Sequence, residues 1–173
     1  MLFRSQALEL ALRRDGPTFI RLCRNPTPVL FADAEPLQFG KIRKLLDGND
    51  VTIAVCGVPT FMAIEAASRL AARGVSVDLL EVSTIKPIDA EALAASARKT
   101  RKVLTVEEHT IQGGLGSAVA ETLARRAPAL MRMIGIQDTF AESGDWAGLM
   151  RKHGISAEHI EAEAMALAAG ESR

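Results

Sequence analysis

The sequence predicts an α/β fold in three layers, α/β/α, around a mostly parallel sheet of about five strands. Three observations predict it. From Asp50 onward, short β-branched runs alternate with amphipathic stretches of helix length. Glycine or proline marks most of the changes of period. Between residues 51 and 136 no run turns straight back on the one before it, so hairpins are not expected there.

The first expected strand is "VTIAVC" (51–56), a continuous apolar run of buried type. "GVP" turns the chain, and Pro59 falls near the first position of the next helix, where a missing N–H costs nothing. "FMAIEAASRLAARG" is that helix, closed by Gly74 as C-terminal cap. "VSVDLLEV" (75–82) is the second strand, and "TIKPID" is a turn that places Asp89 to cap the helix "AEALAASARK". "KVLTVEE" (102–108) is the third strand, and a glycine cluster leads from it into the helix "SAVAETLARRA". "LMRMIGI" (130–136) is the fourth, followed by two closing helices, "SGDWAGLMRKHG" and "SAEHIEAEAMALAAG". The pattern leaves room for one antiparallel strand at the sheet edge.

The first forty or so residues do not fit into that unit. "SQALELALRRDG" reads as one amphipathic helix, "PTFIRLCR" as one strand, and "NPTPVLFADAEPLQFG" as a connector containing proline. One helix and one strand cannot bury their apolar faces alone. They are expected to be the last two elements of a larger domain; the alternative is docking onto the main sheet as an extra edge. In the first case Leu8, Leu12, Phe19, Ile20 and Leu22 would expose apolar surface.

Composition narrows the function classes. Lysine and arginine number 21, as do aspartate and glutamate, and aromatic residues make up 4%. There is neither a net field to hold a polyanion nor a set of stacking platforms, so a nucleic-acid partner is not expected. Cys23 and Cys56 lie singly in apolar runs, which fits buried thiols in a reducing compartment. No apolar run approaches bilayer length and the opening "MLFRSQALELALRRDG" is unlike a signal peptide, so a cytoplasmic protein off the membrane is expected. No pair of the three histidines has metal-ligand spacing.

The stretch "VEEHTIQGGLGSAVAETL" (106–123) holds the strongest local signal. A dinucleotide fingerprint would need glycine or alanine where Val119 stands, and a P-loop would need lysine where Ser117 stands. What remains is a strand-to-helix turn in which Gly113, Gly114 and Gly116 allow positive φ and close packing, with Ser117 as N-cap. Glu107, Glu108 and His109 end a parallel strand, where α/β proteins place ligand-facing groups. A histidine beside carboxylates is suited to proton transfer, so Glu107 and His109 are candidates for substrate contact; a strand-end group bonded to the glycine loop is the alternative.

"DVTIAVCG", "AIEAASRLAARGVSVDLLEVSTIKPIDAEAL", "RKVLTVEEHTIQGGLGSAVAETL", "GIQDTFAESG" and "KHGIS", in that order, resemble the C-terminal domain of thiamine-diphosphate-dependent transketolases. The similarity spans residues 38–168 and is greatest to the split type, in which two chains make one enzyme. "GPTFIRLCRNPTP", within residues 1–32, resembles the end of the preceding pyrimidine-binding domain.

The resemblance implies a division into residues 1–36, a pyrimidine-domain remnant with its linker, and residues 37–173, the C-terminal domain. It implies part of an enzyme that moves a two-carbon ketol unit between sugar phosphates. Thiamine diphosphate and Mg2+ would sit on an N-terminal partner subunit in a homodimer or heterotetramer, leaving this chain inactive alone. It also implies that Arg24 binds the substrate phosphate, for which a planar guanidinium fork is suited, with Arg21 as a neighbouring decoy. In the family the glycine loop belongs to a domain that supports the subunit interface. A deoxyxylulose-phosphate synthase, a two-oxoacid dehydrogenase beta subunit and a non-catalytic interaction module are the alternatives.

Overall fold

The computed structural model describes residues 2–31 and 36–171. The elements in chain order are α1 (Leu2–Leu12), β1 (Arg43–Leu46), β2 (Val51–Val55), α2 (Thr60–Ala72), β3 (Val77–Glu81) and α3 (Ala90–Thr100). They continue as β4 (Lys102–Thr110), α4 (Leu115–Arg126), β5 (Leu130–Ile136), α5 (Trp146–Lys152) and α6 (Ala157–Ala168). The strands form one five-stranded sheet in the order β1-β3-β2-β4-β5. β2 to β5 run parallel, and β1 lies antiparallel against β3 at one edge.

Alternation along the strands divides the core in two. Ile53, Val55, Leu79, Leu104 and Ile134 face α2 and α6. Ala54, Leu80 and Val103 face α3 and α4 through Leu93, Ala97, Val119 and Leu123. β2 and β3 are buried along their whole length, as central strands covered on both faces are. Each fully buried leucine or isoleucine contributes roughly 1.5–3 kcal/mol of transfer free energy. A polar chain crosses the second layer: Thr100 to Thr52, Thr52 to Ser96, and Ser96 to Asp78 at 2.7, 2.6 and 2.5 Å. Asp78 is fully buried and sits 3.2 Å from the ammonium groups of both Lys44 and Lys99, so its charge is compensated.

Helix ends follow the capping chemistry of the sequence. Asp89, Asp145 and Ser156 each accept a backbone N–H of the helix they precede, α3, α5 and α6. Gly74, just beyond α2, has φ +79°.

Residues 17–24 depart from expectation, because they form no strand. A strand needs a neighbour for its N–H and C=O groups, and none of the described strands pairs with this segment. It lies instead over the carboxyl end of the sheet. Cys23 packs against the core layer of α2 and α6, and Arg21 acts electrostatically on Cys56 and Glu107. Further contacts tie the N-terminal residues to the rest of the chain. Leu37 N–H donates to Gln6 Oε1 at 2.9 Å, and Arg14 and Arg43 lie over the rings of Phe39 and Phe31 at 4.0 and 4.2 Å.

Candidate functional site at the carboxyl end of the sheet

Strand order locates the site. From β2 the chain passes to β3 on one side, then crosses to β4 on the other, so the connections leave β2 and β4 in opposite directions and open a crevice at their carboxyl ends. β4 overhangs this crevice, because its pairing with β2 stops at Val106 while the strand runs on to Thr110. Glu107, Glu108 and His109 are therefore lifted beyond the neighbouring strand.

Alternation sends the three side chains to different places. Glu107 turns inward and is 1% exposed. Its Oε2 accepts the N–H of Leu115 at 2.7 Å and its Oε1 that of Gly116 at 2.8 Å. A carboxylate from β4 thus takes the first free amides of α4, where the helix dipole favours negative charge. Burial pushes the Glu107 carboxyl above its usual range, against the two amides and the charges of His109 and Arg21. This is the capping arrangement, a strand-end group bonded to the glycine loop, that the sequence left open beside substrate contact. Glu108 is half-buried and accepts Trp146 Nε1–H at 3.2 Å, tying β4 to α5. His109 is exposed.

The glycine loop is shaped around that carboxylate. Gly113 alone of the three needs positive φ, at +75°. Gly114 is extended, and a Cβ there would lie 2.0 Å from Glu107 Oε2 and 2.6 Å from the Thr110 carbonyl. A Cβ on Gly116 would meet Met133 Sδ of β5 at 2.7 Å, so α4 packs directly on the sheet. Ser117 is not the N-cap. Gly114 precedes the helix and Ser117 is its third residue, the hydroxyl accepting from Gly113 N–H and donating to Ile111 O, each at 2.9 Å. The helix starts earlier than expected because Glu107 supplies the capping acceptor from a distant strand.

Two further groups lie at this end of the sheet: Glu81 was not singled out from the sequence, whereas Cys56 was expected there as a buried thiol. Glu81, at the end of β3, is 4% exposed with Arg43 Nη1 at 3.9 Å, and its Oε2 has no hydrogen-bond partner. Burial pushes its carboxyl up to about 7, against the pull of Arg43 and Ser83. Cys56 follows β2, and burial, with Glu107 next, pushes its thiol up to about 12, which makes it a poor nucleophile at neutral pH. The burial of Glu81 was not visible beforehand, because a polar residue buried within a strand has no periodic signature.

An anion arriving at the α4 N-terminus would find its amides engaged by Glu107. Among the described residues no group of three His, Cys, Asp or Glu side chains could hold a metal ion. Among the described residues, those at this end of the sheet offer a diphosphate with its magnesium neither free helix amides nor a metal-binding cluster.

The family model described as "Transketolase, C-terminal domain" matches residues 40–160. This chain belongs to the transketolase C-terminal domain family. A transketolase C-terminal domain of the split type is also its structural likeness: "Split gene transketolase, inactive beta4 tetramer" superposes with a TM-score of 0.90 at 37% identity, covering 95% of this chain and 54% of that one. Among curated relatives, the "6-deoxy-6-sulfo-D-fructose transketolase subunit SqwH" of Clostridium sp. (strain MSTE9) is 40% identical, over 86% of this chain and 46% of its own. The "1-deoxy-D-xylulose-5-phosphate synthase" of Syntrophotalea carbinolica (strain DSM 2380 / NBRC 103641 / GraBd1) is 38% identical, over 91% of this chain and 25% of its own. The chain spans about half the length of the transketolase subunit it matches, and a quarter of the synthase. Within the transketolase C-terminal domain, Glu107 and the glycine loop form a packed structural unit. Arg24 lies outside the matched residues, exposed, on the segment that crosses the carboxyl end of the sheet.

Proposed function

We propose that this chain is the C-terminal section of a thiamine-diphosphate-dependent transketolase, comprising a pyrimidine-domain remnant (1–36) and the C-terminal domain (37–173). It works in the cytoplasm on sugar phosphates, together with an N-terminal subunit that holds thiamine diphosphate and Mg2+. The observation that carries this reading is the 0.90 superposition on a split-gene transketolase chain, which covers 95% of this one and so reaches beyond the family's matched residues into the N-terminal segment. Exposed Phe19 and Leu22 on that segment support a partner surface next to Arg24. When bound, the cofactor would supply the carbanion chemistry of ketol transfer. The part of this chain is assembly, with Arg24 offering a planar fork to the substrate phosphate and His109 exposed at the same end of the sheet.

The test is a calorimetric titration of thiamine diphosphate with Mg2+ into this chain alone and into its mixture with the N-terminal subunit. Heat of binding and ketol transfer only in the mixture support the proposal; cofactor binding or turnover by this chain alone overturns it. In the active mixture Arg24→Ala raises KM about tenfold or more for a phosphorylated sugar and leaves it unchanged for the unphosphorylated one. The match to the synthase supports a second reading, a section of a deoxyxylulose-phosphate synthase. Use of a two-oxoacid in place of a ketose donor by the same mixture would favour that reading.

A further inference from the structure

Alternation at the β1 edge of the sheet brings four side chains to one face. Lys44 pairs with Leu80, so Ile42 and Lys44 lie on the same side as Asp78 and Leu80 of β3. α3 meets that face with Ala92, Ala95, Ser96 and Lys99, a stripe at helical spacing in which three of the four side chains are small. The helix therefore leaves a cleft of about 400 Å3 between itself and β1, lined on the strand side by Ile42 and Leu80. That is the volume of a small-molecule site.

Charge is gathered where Lys44 and Lys99 meet. Each ammonium lies 3.2 Å from the fully buried carboxylate of Asp78, and both donate to one oxygen of Asp47, Oδ1, at 2.9 and 2.6 Å. Asp78 thus holds the two lysines from within and compensates one of their charges. Asp47, whose side chain is 74% exposed, meets the other from outside. The Lys99 ammonium first, and then that of Lys44, holds the Asp47 carboxyl down to about 2, so it is ionised at neutral pH. The loop that carries Asp47 is anchored by other groups. Gly48 packs so closely on β3 that a Cβ there would lie 2.4 Å from the Val77 carbonyl carbon. Asp50 N–H donates to Ser76 O at 2.9 Å, and Ser76 N–H to Asp50 Oδ2 at 2.7 Å. The Asp47 carboxylate can therefore swing into solvent while its backbone stays in place.

We propose that this cleft binds a small organic monocarboxylate, its carboxylate held by Lys44 and Lys99 in the place of Asp47 and its hydrocarbon body lying between β1 and α3. Charge selects the head group. Two lysines against Asp78 leave one positive charge facing the cleft, which a carboxylate balances and a phosphate dianion exceeds. The lining selects the body, because Ile42, Leu80, Ala92 and Ala95 present no polar side chain to satisfy the hydroxyls of a sugar. Asp47 already shows the geometry, since one of its carboxylate oxygens reaches both ammonium groups. The site uses no residue assigned to the carboxyl end of the sheet, so it does not depend on the catalytic reading.

The test is an NMR titration of the full chain with sodium hexanoate at constant ionic strength, following the backbone amides. Saturable shifts centred on residues 42–47 and 92–99 are expected, with a Kd in about the millimolar range. Each methylene removed from the ligand, down to acetate, weakens binding about fourfold, and hexylamine leaves these amides unmoved. Asp47→Asn, at an exposed position, removes the tethered competitor and tightens hexanoate binding about tenfold. Ala95→Leu, also exposed, fills the apolar part of the cleft and removes the dependence on chain length. Lack of saturation in both the wild type and Asp47→Asn overturns the proposal. So does acetate binding as tightly as hexanoate, which would mark an adventitious ion only, and so do tighter binding of inorganic phosphate or shifts gathered elsewhere on the chain. The amide spectrum itself reports whether each variant is folded; should either fail, the chain-length series on the wild type decides, a flat series overturning the proposal.

Discussion

Glu107 joins β4 to α4 through one side chain. Replacing it with alanine leaves the Leu115 and Gly116 amides buried without an acceptor, at an expected loss of about 3 kcal/mol in urea unfolding, with glutamine recovering part of it. Glu81 governs the pH response. Its carboxyl titrates at about 7 in the folded chain, against 4.5 for the free side chain. Between those values the folded state binds more protons than the unfolded one, so stability falls as pH rises through that window and levels off above it. The raised carboxyl of Glu107 acts in the same direction. The Glu81 effect is on the order of 3 kcal/mol, and Glu81→Gln is expected to flatten the profile of urea midpoints measured from pH 5 to pH 8. The sequence marked Glu107 as an acid near a strand end and did not single out Glu81. It did not show that their charges are buried, because burial is decided by elements that meet only in the folded chain.

The loop from β4 to α4 separates two kinds of tight glycine. A Cβ on Gly114 would collide with the Thr110 carbonyl and the fixed carboxylate of Glu107, whereas on Gly116 its closest contact would be the flexible end of Met133 at 2.7 Å, with Thr105 Oγ1 next at 3.2 Å. Gly114→Ala is expected to cost about 2 kcal/mol or more, and Gly116→Ala to be near neutral, since alanine also favours the helix; thermal unfolding of the two variants checks this. The elements most legible in the sequence were those with a sustained period or a strong cap: β2, β3, β4 and β5, and the helices from α2 onward. β1 was not placed, because "RKLL" is four residues with two charges and owes its conformation to the β3 edge. Residues 17–24 were misassigned for the complementary reason, a β-branched and aromatic composition without a strand to pair with. Ser117 had the right chemistry for a cap, but the competing acceptor came from eight to nine residues upstream in β4.

For the molecule as a whole, the sheet and its helices are held by two core layers, while residues before Gly40 are attached by scattered contacts and leave Leu12 and Phe19 78% and 90% exposed. A chain beginning at Gly40 is expected to be more soluble and to unfold within a few degrees of the full chain, which light scattering and calorimetry would check; lower solubility would show that the segment shields this domain. The buried cap on α4 bears also on time. The Leu115 and Gly116 protons sit beneath a carboxylate that no local fraying can uncover, so they should trade for deuterium only when the entire sheet comes apart. Two amide resonances would then serve as a clock for the rarest excursions of this protein.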